Sequence, residues 1–304
     1  MINFQIPQPA DKAWVDQRLA GGNYRGCEYS FTNLLVWGAA YDQRIADVEG
    51  FLVVRVKGNL GYGYFWPAGA GDLDKALTLL EQDAQERGEE FRLVGVTPEG
   101  AAELERLRPG QYTCTLDRDG SDYLYDIDKL ADLGGRKLHS KRNHCARFQD
   151  NNPDWVYEDM TPQALGECLE LDEQWDRLSR EREGAEEAED MTNERKALLL
   201  SAKYFKELKL EGGLLRVGGQ VVAFTMGDLL GVDTFDVHFE KAYSEIQGAY
   251  PMINREFARR IRQRYPQVRY LNREEDMGIE GLRKAKESYY PDLMVEKHWV
   301  VRKK

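Results

Sequence analysis

Asp236, His238 and Glu240 alternate with Phe235, Val237 and Phe239 in the stretch TFDVHFEKAYSEIQGAYPMINREFARRIRQR. Side chains at every second position of a strand share a face, so this spacing predicts two carboxylates and an imidazole on one side and three apolar groups on the other. Such a face suits acyl transfer to an amine, which needs a base for the ammonium proton and donors for the tetrahedral oxyanion; His238 or Glu240 is the expected base. The same groups read equally as structural hydrogen-bonding residues beneath a helix. The strand breaks at Gln247, Gly248, Ala249 and Tyr250, and Pro251 sits in the first turn of a helix, where no intrahelical N–H bond is lost. The N–H groups of that turn, at the positive end of the helix dipole, suit a phosphorylated donor.

Asn272, Glu274 and Asp276 follow the next strand, where open α/β sheets bind ligands, and their oxygens suit a cationic acceptor amine. Asp276 reads equally as the cap of a helix from Ile279. On that helix Leu282, Ala285 and Tyr289 are expected to form the packed stripe, which leaves Arg283 and Lys286 together for donor phosphate or as plain surface charge. No metal is expected: His139 and His144 are five apart and share no helix face, and the four cysteines show no C-x-x-C spacing and read as free thiols. Neither a Walker loop nor a nucleophile elbow occurs.

The elements that must position these groups follow from pattern. In the first half a hairpin turns at Lys57-Gly58-Asn59-Leu60, a helix capped by Asp72 follows, then the strand FRLVGV, a helix from Pro98 to Leu107 and a strand pair turning at Asp119-Gly120. In the second, helices are expected over Gly135 to Gln149, Pro162 to Leu178 and Asn193 to Leu208, the last capped by Thr192. A hairpin at Gly218-Gly219, the opening strand and helix, the strand VRYLNRE, a helix from Ile279 to Ser288 and the strand LMVEKHWVV complete it. The order repeats, FRLVGV matching VRYLNRE and TCTLDRDGSDYLYDI matching LMVEKHWVV, which predicts a duplicated α/β unit with halves at 1–125 and 126–304.

A net charge of −11 over 304 residues argues against a protein that coats nucleic acid or an anionic membrane with its whole surface. The acidic run Glu181–Asp190 and the arginine-rich run from Arg255 to Arg269 read first as solvated faces. No window supplies the roughly 20 apolar residues of a membrane helix and no secretory signal opens the chain, so a cytoplasmic location is expected.

NREEDMGIEGLRKAKESYYP and GRKLHSKRNHCARF together closely resemble a bacterial family of uncharacterised proteins. That family is similar to the cytosolic C-terminal domain of phosphatidylglycerol lysyltransferases, in the GNAT-like acyltransferase superfamily. The resemblance implies an α/β fold of tandem GNAT-like domains with the cleft in the C-terminal half. It also makes the string Lys141, Arg142, Asn143 and His144 a family hallmark and a ligand-binding candidate. The implied activity is direct transfer, within a ternary complex, of an acyl or aminoacyl group to an amine or hydroxyl of a soluble small-molecule or peptide acceptor. Acyl-CoA or aminoacyl-tRNA is the implied donor, so tRNA is an expected partner. The usual Q/R-x-x-G-x-G/A loop is reduced here to one glycine, Gly248. The alternative is a non-catalytic module that binds a nucleotide or polyanion through Arg142, Arg283 and Lys286.

Overall fold

The computed structural model describes residues 1–58, 60–180 and 187–303; Asn59 of the first expected turn and most of the acidic run lie outside them. The first half comprises α1 (Lys12–Leu19), α2 (Phe31–Val36), β1 (Arg44–Val48), β2 (Phe51–Gly58), β3 (Gly61–Phe65), β4 (Ala68–Gly69), α3 (Leu73–Arg87), β5 (Arg92–Val96), α4 (Pro98–Leu107) and β6 (Tyr112–Asp126). The second begins with α5 (Ile127–Asp132), α6 (His139–Asn151), β7 (Val156–Asp159), α7 (Pro162–Arg180) and α8 (Glu187–Lys203). It continues with β8 (Glu211–Val217), β9 (Gln220–Leu230), β10 (Thr234–Ala242), α9 (Ala249–Arg264), β11 (Tyr270–Asn272), α10 (Glu280–Glu287) and β12 (Leu293–Arg302).

The strands form one mixed sheet in the order β1-β2-β3-β5-β12-β6-β11-β10-β9-β8-β7, with β4 beside β2. Each half contributes an antiparallel meander, β1-β2-β3 or β8-β9-β10, whose last strand pairs in parallel with a short strand, β5 or β11. The terminal strands cross over: β12, from the second half, pairs with β5 of the first, and β6, from the first, pairs with β11 of the second. Apart from the edge strand β7, which has no counterpart, the strand order therefore reads the same from either side of the β6–β12 seam, which is the arrangement of two GNAT-like halves fused through one sheet. FRLVGV and VRYLNRE occupy equivalent places in it, as do β6 and β12.

Local chemistry accounts for most elements. Asp72 caps α3 by accepting from the Lys75 N–H, Ala76, Leu77, Leu80 and Ala84 form its buried stripe, and Gly88 ends it at φ 72°. The β8–β9 hairpin turns at Gly218-Gly219, both at positive φ.

Two expectations fail. Asp119-Gly120 does not reverse the chain: β6 runs straight through and pairs with β12 on either side of a slip, Asp117 opposite Lys297 and Asp122 opposite Val295. The residues between bulge out instead, because β12 offers partners on both sides and a hairpin would forfeit them. Thr192 is not a cap either, since α8 already starts at Glu187; the run EAED and the N-cap residue types Thr192 and Asn193 placed the expected start too late.

Helices α5, α6 and α9 cover a core around Phe148, Phe235, Val237, Met252 and Phe257, and α3 and α4 cover another around Tyr64, Leu77, Leu80 and Leu104. A third core joins Phe31 and Leu34 of α2 to Leu198 of α8, Phe224 and Met226 of β9 and Phe239. Asp83 of α3, wholly buried, ties the N-terminal core together: it accepts from Tyr64 Oη at 2.7 Å, Arg87 Nε at 2.8 Å and the Ile2 N–H at 2.6 Å. Burial alone would raise its pKa, but those three donors outweigh it and hold the carboxyl below the ordinary range. Its stabilisation is present above the unfolded value of about 4 and fades as pH falls through the lower folded value. Asp83→Ala is expected to cost about 3 kcal/mol in urea unfolding at pH 7, with the gap to wild type narrowing below about pH 4.

Candidate active site

The C-terminal half contains a splay in the sheet. β10 and β11 pair only over Thr234–Asp236 with Tyr270–Asn272; β10 then runs on to Ala242 while the chain after Asn272 follows β6, its Arg273 N–H donating to the Tyr123 carbonyl. Glu274 has φ 55°, a left-handed conformation uncommon for this residue type, fixed by its N–H donating to Asn272 Oδ1. This turns its carboxylate back across the gap.

A β-bulge decides which groups meet there. The register with β9 slips between Val237 and Phe239, so His238 is the extra residue. Phe235 and Val237 face the α9 core whereas Phe239 faces the α2–α8 core. The expected single polar face is thereby split: Asp236 and His238 lie together on the α2 side, 3.7 Å apart, while Glu240 crosses to the α9 side and accepts from Asn254 Nδ2 at 3.1 Å. Gly227 sits opposite the bulge, where a Cβ would come within 1.8 Å of the Asp236 carbonyl oxygen.

Each face then carries one ion pair across the splay. On the α2 side His238 Nδ1 lies 3.1 Å from Glu274 Oε1 and Nε2 3.0 Å from Asp228 Oδ1. Asp228 also accepts from Thr32 Oγ1 at 2.6 Å, and Glu274 from Asn33 Nδ2 at 2.9 Å. Burial opposes charge on His238, but Asp236 and Asp228 outweigh it and raise the ring's pKa well above its usual value. Asp236 is pushed well up by burial and by the Glu274 charge, and neither of its oxygens has a hydrogen-bond partner. On the α9 side Arg273 Nη2 donates to Glu240 Oε1 at 2.9 Å, its guanidinium lies over Tyr125 and Tyr289, and its Nη1 has no hydrogen-bond partner. Lys141 approaches the same group of side chains from α6, with Nζ 4.1 Å from the Tyr289 ring centre, and burial followed by the Arg273 charge lowers its pKa.

Other expected ligands are committed elsewhere. Asn272 is buried, donating to Asp122 Oδ2 and the Arg25 carbonyl. Asp276 is wholly buried beneath Arg283, Arg118 and Tyr123, and the hydrogen bonds from Arg283 and Tyr123 overcome the penalty of burial and hold its pKa far below the carboxylate range. Neither faces an incoming amine. Arg283 is taken by Asp276 and Asp119. Lys286 is buried and donates to the Arg273 and Glu275 carbonyls, while Ala285 is exposed, so the expected stripe is broken: the buried positions are Lys286 in α10 and Tyr289 just beyond it. Arg142 donates to the Leu133 and Gly135 carbonyls, Asn143 contacts His139, and the His144 carbonyl backs Gly248.

Gly248 caps α9 at φ 84°, and a Cβ there would approach that carbonyl to 2.2 Å, so this glycine admits the close crossing of α6. Ala249 is buried behind it while Gln247 is exposed and Tyr250 half-buried at the helix start. The arginines of α9 are paired with acids: Arg255 and Arg259 with Glu256, Arg260 with Asp159, Arg262 with Asp128 and Asp132, and Arg264 with Glu211.

A second buried polar group lies beside the first. Lys297 Nζ is 2.6 Å from Asp122 Oδ1, 2.8 Å from Glu28 Oε2 and 3.4 Å from Cys27 Sγ, and Cys27 Sγ is 3.4 Å from Glu275 Oε2. Two sets of side chains thus have metal-compatible spacing among the described residues, Cys27–Asp122–Glu275 and Asp236–His238–Glu274. Sequence reasoning missed Asp228, Arg273 and Lys297. Asp228 follows a mostly apolar run in β9, and that was the available signal; Lys297 stands between Glu296 and His298, and Arg273 between Asn272 and Glu274, so neither stood out from its neighbours.

The family model for the C-terminal region of phosphatidylglycerol lysyltransferase matches residues 20–301. The chain belongs to that family. Among solved structures, this lysyltransferase-family chain is similar to a conserved protein of unknown function from Bacteroides thetaiotaomicron, with 40% identity, full coverage of both chains and a TM-score of 0.92. It is also similar to L-PGS from Bacillus licheniformis, with 16% identity, 98% of this chain and 93% of that one covered and a TM-score of 0.67, a likeness of fold. No curated protein matches it in sequence. Family and fold together point to a transferase-type GNAT-like module. No helix among the described residues is long and apolar enough to cross a membrane.

Proposed function

We propose that this chain moves an acyl or aminoacyl group from a carrier, an acyl-CoA or an aminoacyl-tRNA, directly to an amine or hydroxyl of a soluble small-molecule or peptide acceptor. The reaction centre is the splay between β10 and β11, in a C-terminal domain at 126–304. The observation that carries this reading is the Glu240–Arg273 pair across the gap, in a chain of the lysyltransferase family.

Glu240 is the base, since its carboxylate is held by Arg273 and Asn254, whereas both nitrogens of His238 already face carboxylates. The uncommitted Nη1 of Arg273 stabilises the developing oxyanion, and Lys141 with the start of α9 receives the donor's phosphate. Transfer is direct: Cys145, one turn beyond Lys141, is pushed up to about 11 by burial and is a neutral thiol at physiological pH. The non-catalytic alternative is weakened because Arg142, Arg283 and Lys286 all spend their donors on partners within the chain.

Thermal unfolding with acetyl-CoA, longer acyl-CoAs and a non-hydrolysable aminoacyl-tRNA mimic tests the reading. One donor class should stabilise the fold by about 2.7 kcal/mol at a hundred times its Kd, and Lys141→Ala should weaken that response. No shift with any of them would defeat the proposal.

A further inference from the structure

The two buried clusters beside the splay solve the same electrostatic problem differently. Around Asp122 and Glu28 the chain provides its own cation, the Lys297 ammonium, within 2.6 and 2.8 Å of them. Around His238 there are three carboxylates, Asp228, Asp236 and Glu274, and no lysine or arginine contact to any of them among the described residues. Asp236 is the sharpest case: it is 0% exposed, both oxygens lack a hydrogen-bond partner, and Oδ2 faces His238 Nδ1. The protonated His238 ring supplies a single positive charge against three carboxylates, and Asp236 still has no hydrogen bond; a divalent ion that takes the place of the Nδ1 proton would compensate the cluster more fully.

We propose that Asp236, His238 and Glu274 bind a divalent transition-metal ion, best matched by Zn²⁺, through Asp236 Oδ2, His238 Nδ1 and Glu274 Oε1. With metal–ligand distances of about 2.0–2.2 Å, ligand atoms of a tetrahedral Zn²⁺ site lie roughly 3.3 Å apart. The two separations from His238 Nδ1, 3.1 Å to Glu274 and 3.7 Å to Asp236, bracket that value. One imidazole with two carboxylates favours Zn²⁺ over Mg²⁺ or Ca²⁺, which take oxygen ligands, and three protein ligands leave a fourth position for water.

The surrounding bonds are those that orient metal ligands. His238 Nε2 faces Asp228 Oδ1 at 3.0 Å, which directs Nδ1 toward the ion as a carboxylate–histidine–metal relay. Asp228 is held in turn by Thr32 Oγ1, and Glu274 Oε1 by Asn33 Nδ2. The Cys27–Asp122–Glu275 set carries no such proposal, because Lys297 Nζ fills it.

The test is metal analysis of the full chain, stripped with chelator and reloaded with Zn²⁺. The expected result is one Zn²⁺ per chain, lost in Asp236→Asn, bound about 10- to 100-fold more weakly in Asp228→Asn, and unchanged in Cys27→Ser. Wild-type protein loaded with Co²⁺ reads the site without any substitution: a tetrahedral visible band should appear, lack sulfur-to-cobalt charge transfer and be displaced by Zn²⁺. The proposal is overturned if wild type takes up no Zn²⁺, Mn²⁺ or Fe²⁺, if Cys27→Ser rather than Asp236→Asn abolishes uptake, or if Asp236→Asn stabilises the protein under saturating Zn²⁺. None of these readouts depends on transferase activity.

Discussion

Glu240→Gln is expected to lower kcat by about 10²- to 10⁴-fold with the donor that stabilises the fold, the range for loss of a general base. Glutamine preserves the shape of the side chain and one acceptor oxygen, enough for either Arg273, which now donates to Oε1, or Asn254, which donates to Oε2; its NH2 faces the other donor, and it cannot take a proton. The substitution also leaves the Arg273 guanidinium without its counter-charge in a mostly buried setting, so stability should fall by about 3 kcal/mol. Glu240→Asp separates the two effects. It keeps the charge, so it should recover most of the stability, yet it withdraws the carboxylate by one methylene and should leave kcat depressed. A Glu240→Gln enzyme that is folded, binds donor and turns over within tenfold of wild type would remove Glu240 from the chemistry.

Lys297→Met is expected to cost about 3–5 kcal/mol, a large share of the stability of an ordinary domain. Lys297 is 7% exposed, and its ammonium neutralises Asp122 and Glu28 at the junction of β12, β6 and the segment before α2. Methionine fills the volume but leaves two buried carboxylates facing each other. Asp122 also accepts from the Cys27 N–H and Asn272 Nδ2, so its displacement would loosen both the N-terminal segment and the end of β11. Urea unfolding measures the loss, and Asp122→Asn in the Lys297→Met background should restore part of it by removing one uncompensated charge. A Lys297→Met protein within 1 kcal/mol of wild type would show the cluster to be energetically idle.

Both effects arise where β6, β10, β11 and β12 converge, and the exchanged strands explain why. Asp122 comes from the first half, Lys297, His238 and Glu274 from the second, and the segment Cys27–Asn33 closes over them. A site assembled at such a seam draws on distant parts of the chain, and no local spacing motif announces it.

The sequence by itself determined what local rules govern. The stripe and cap of α3 follow from helical period and an Asp at the N-cap; the β8–β9 hairpin follows from a Gly-Gly turn; the repeated order of strands in the two halves was legible because strand and turn signals are short-range. The residue types at the splay were legible too, as His238, Glu240 and Glu274 were singled out from their spacing. Their grouping was decided only in three dimensions. A period-two reading assumes an unbroken ladder, and the one residue inserted at His238 sends Glu240 through to the other face of the sheet. Likewise, the partners that make these groups chemically distinct, Asp228 for His238, Arg273 for Glu240 and Lys297 for Asp122, are joined by burial and sheet topology, which compare the energies of charges far apart in the chain and leave no periodicity to read.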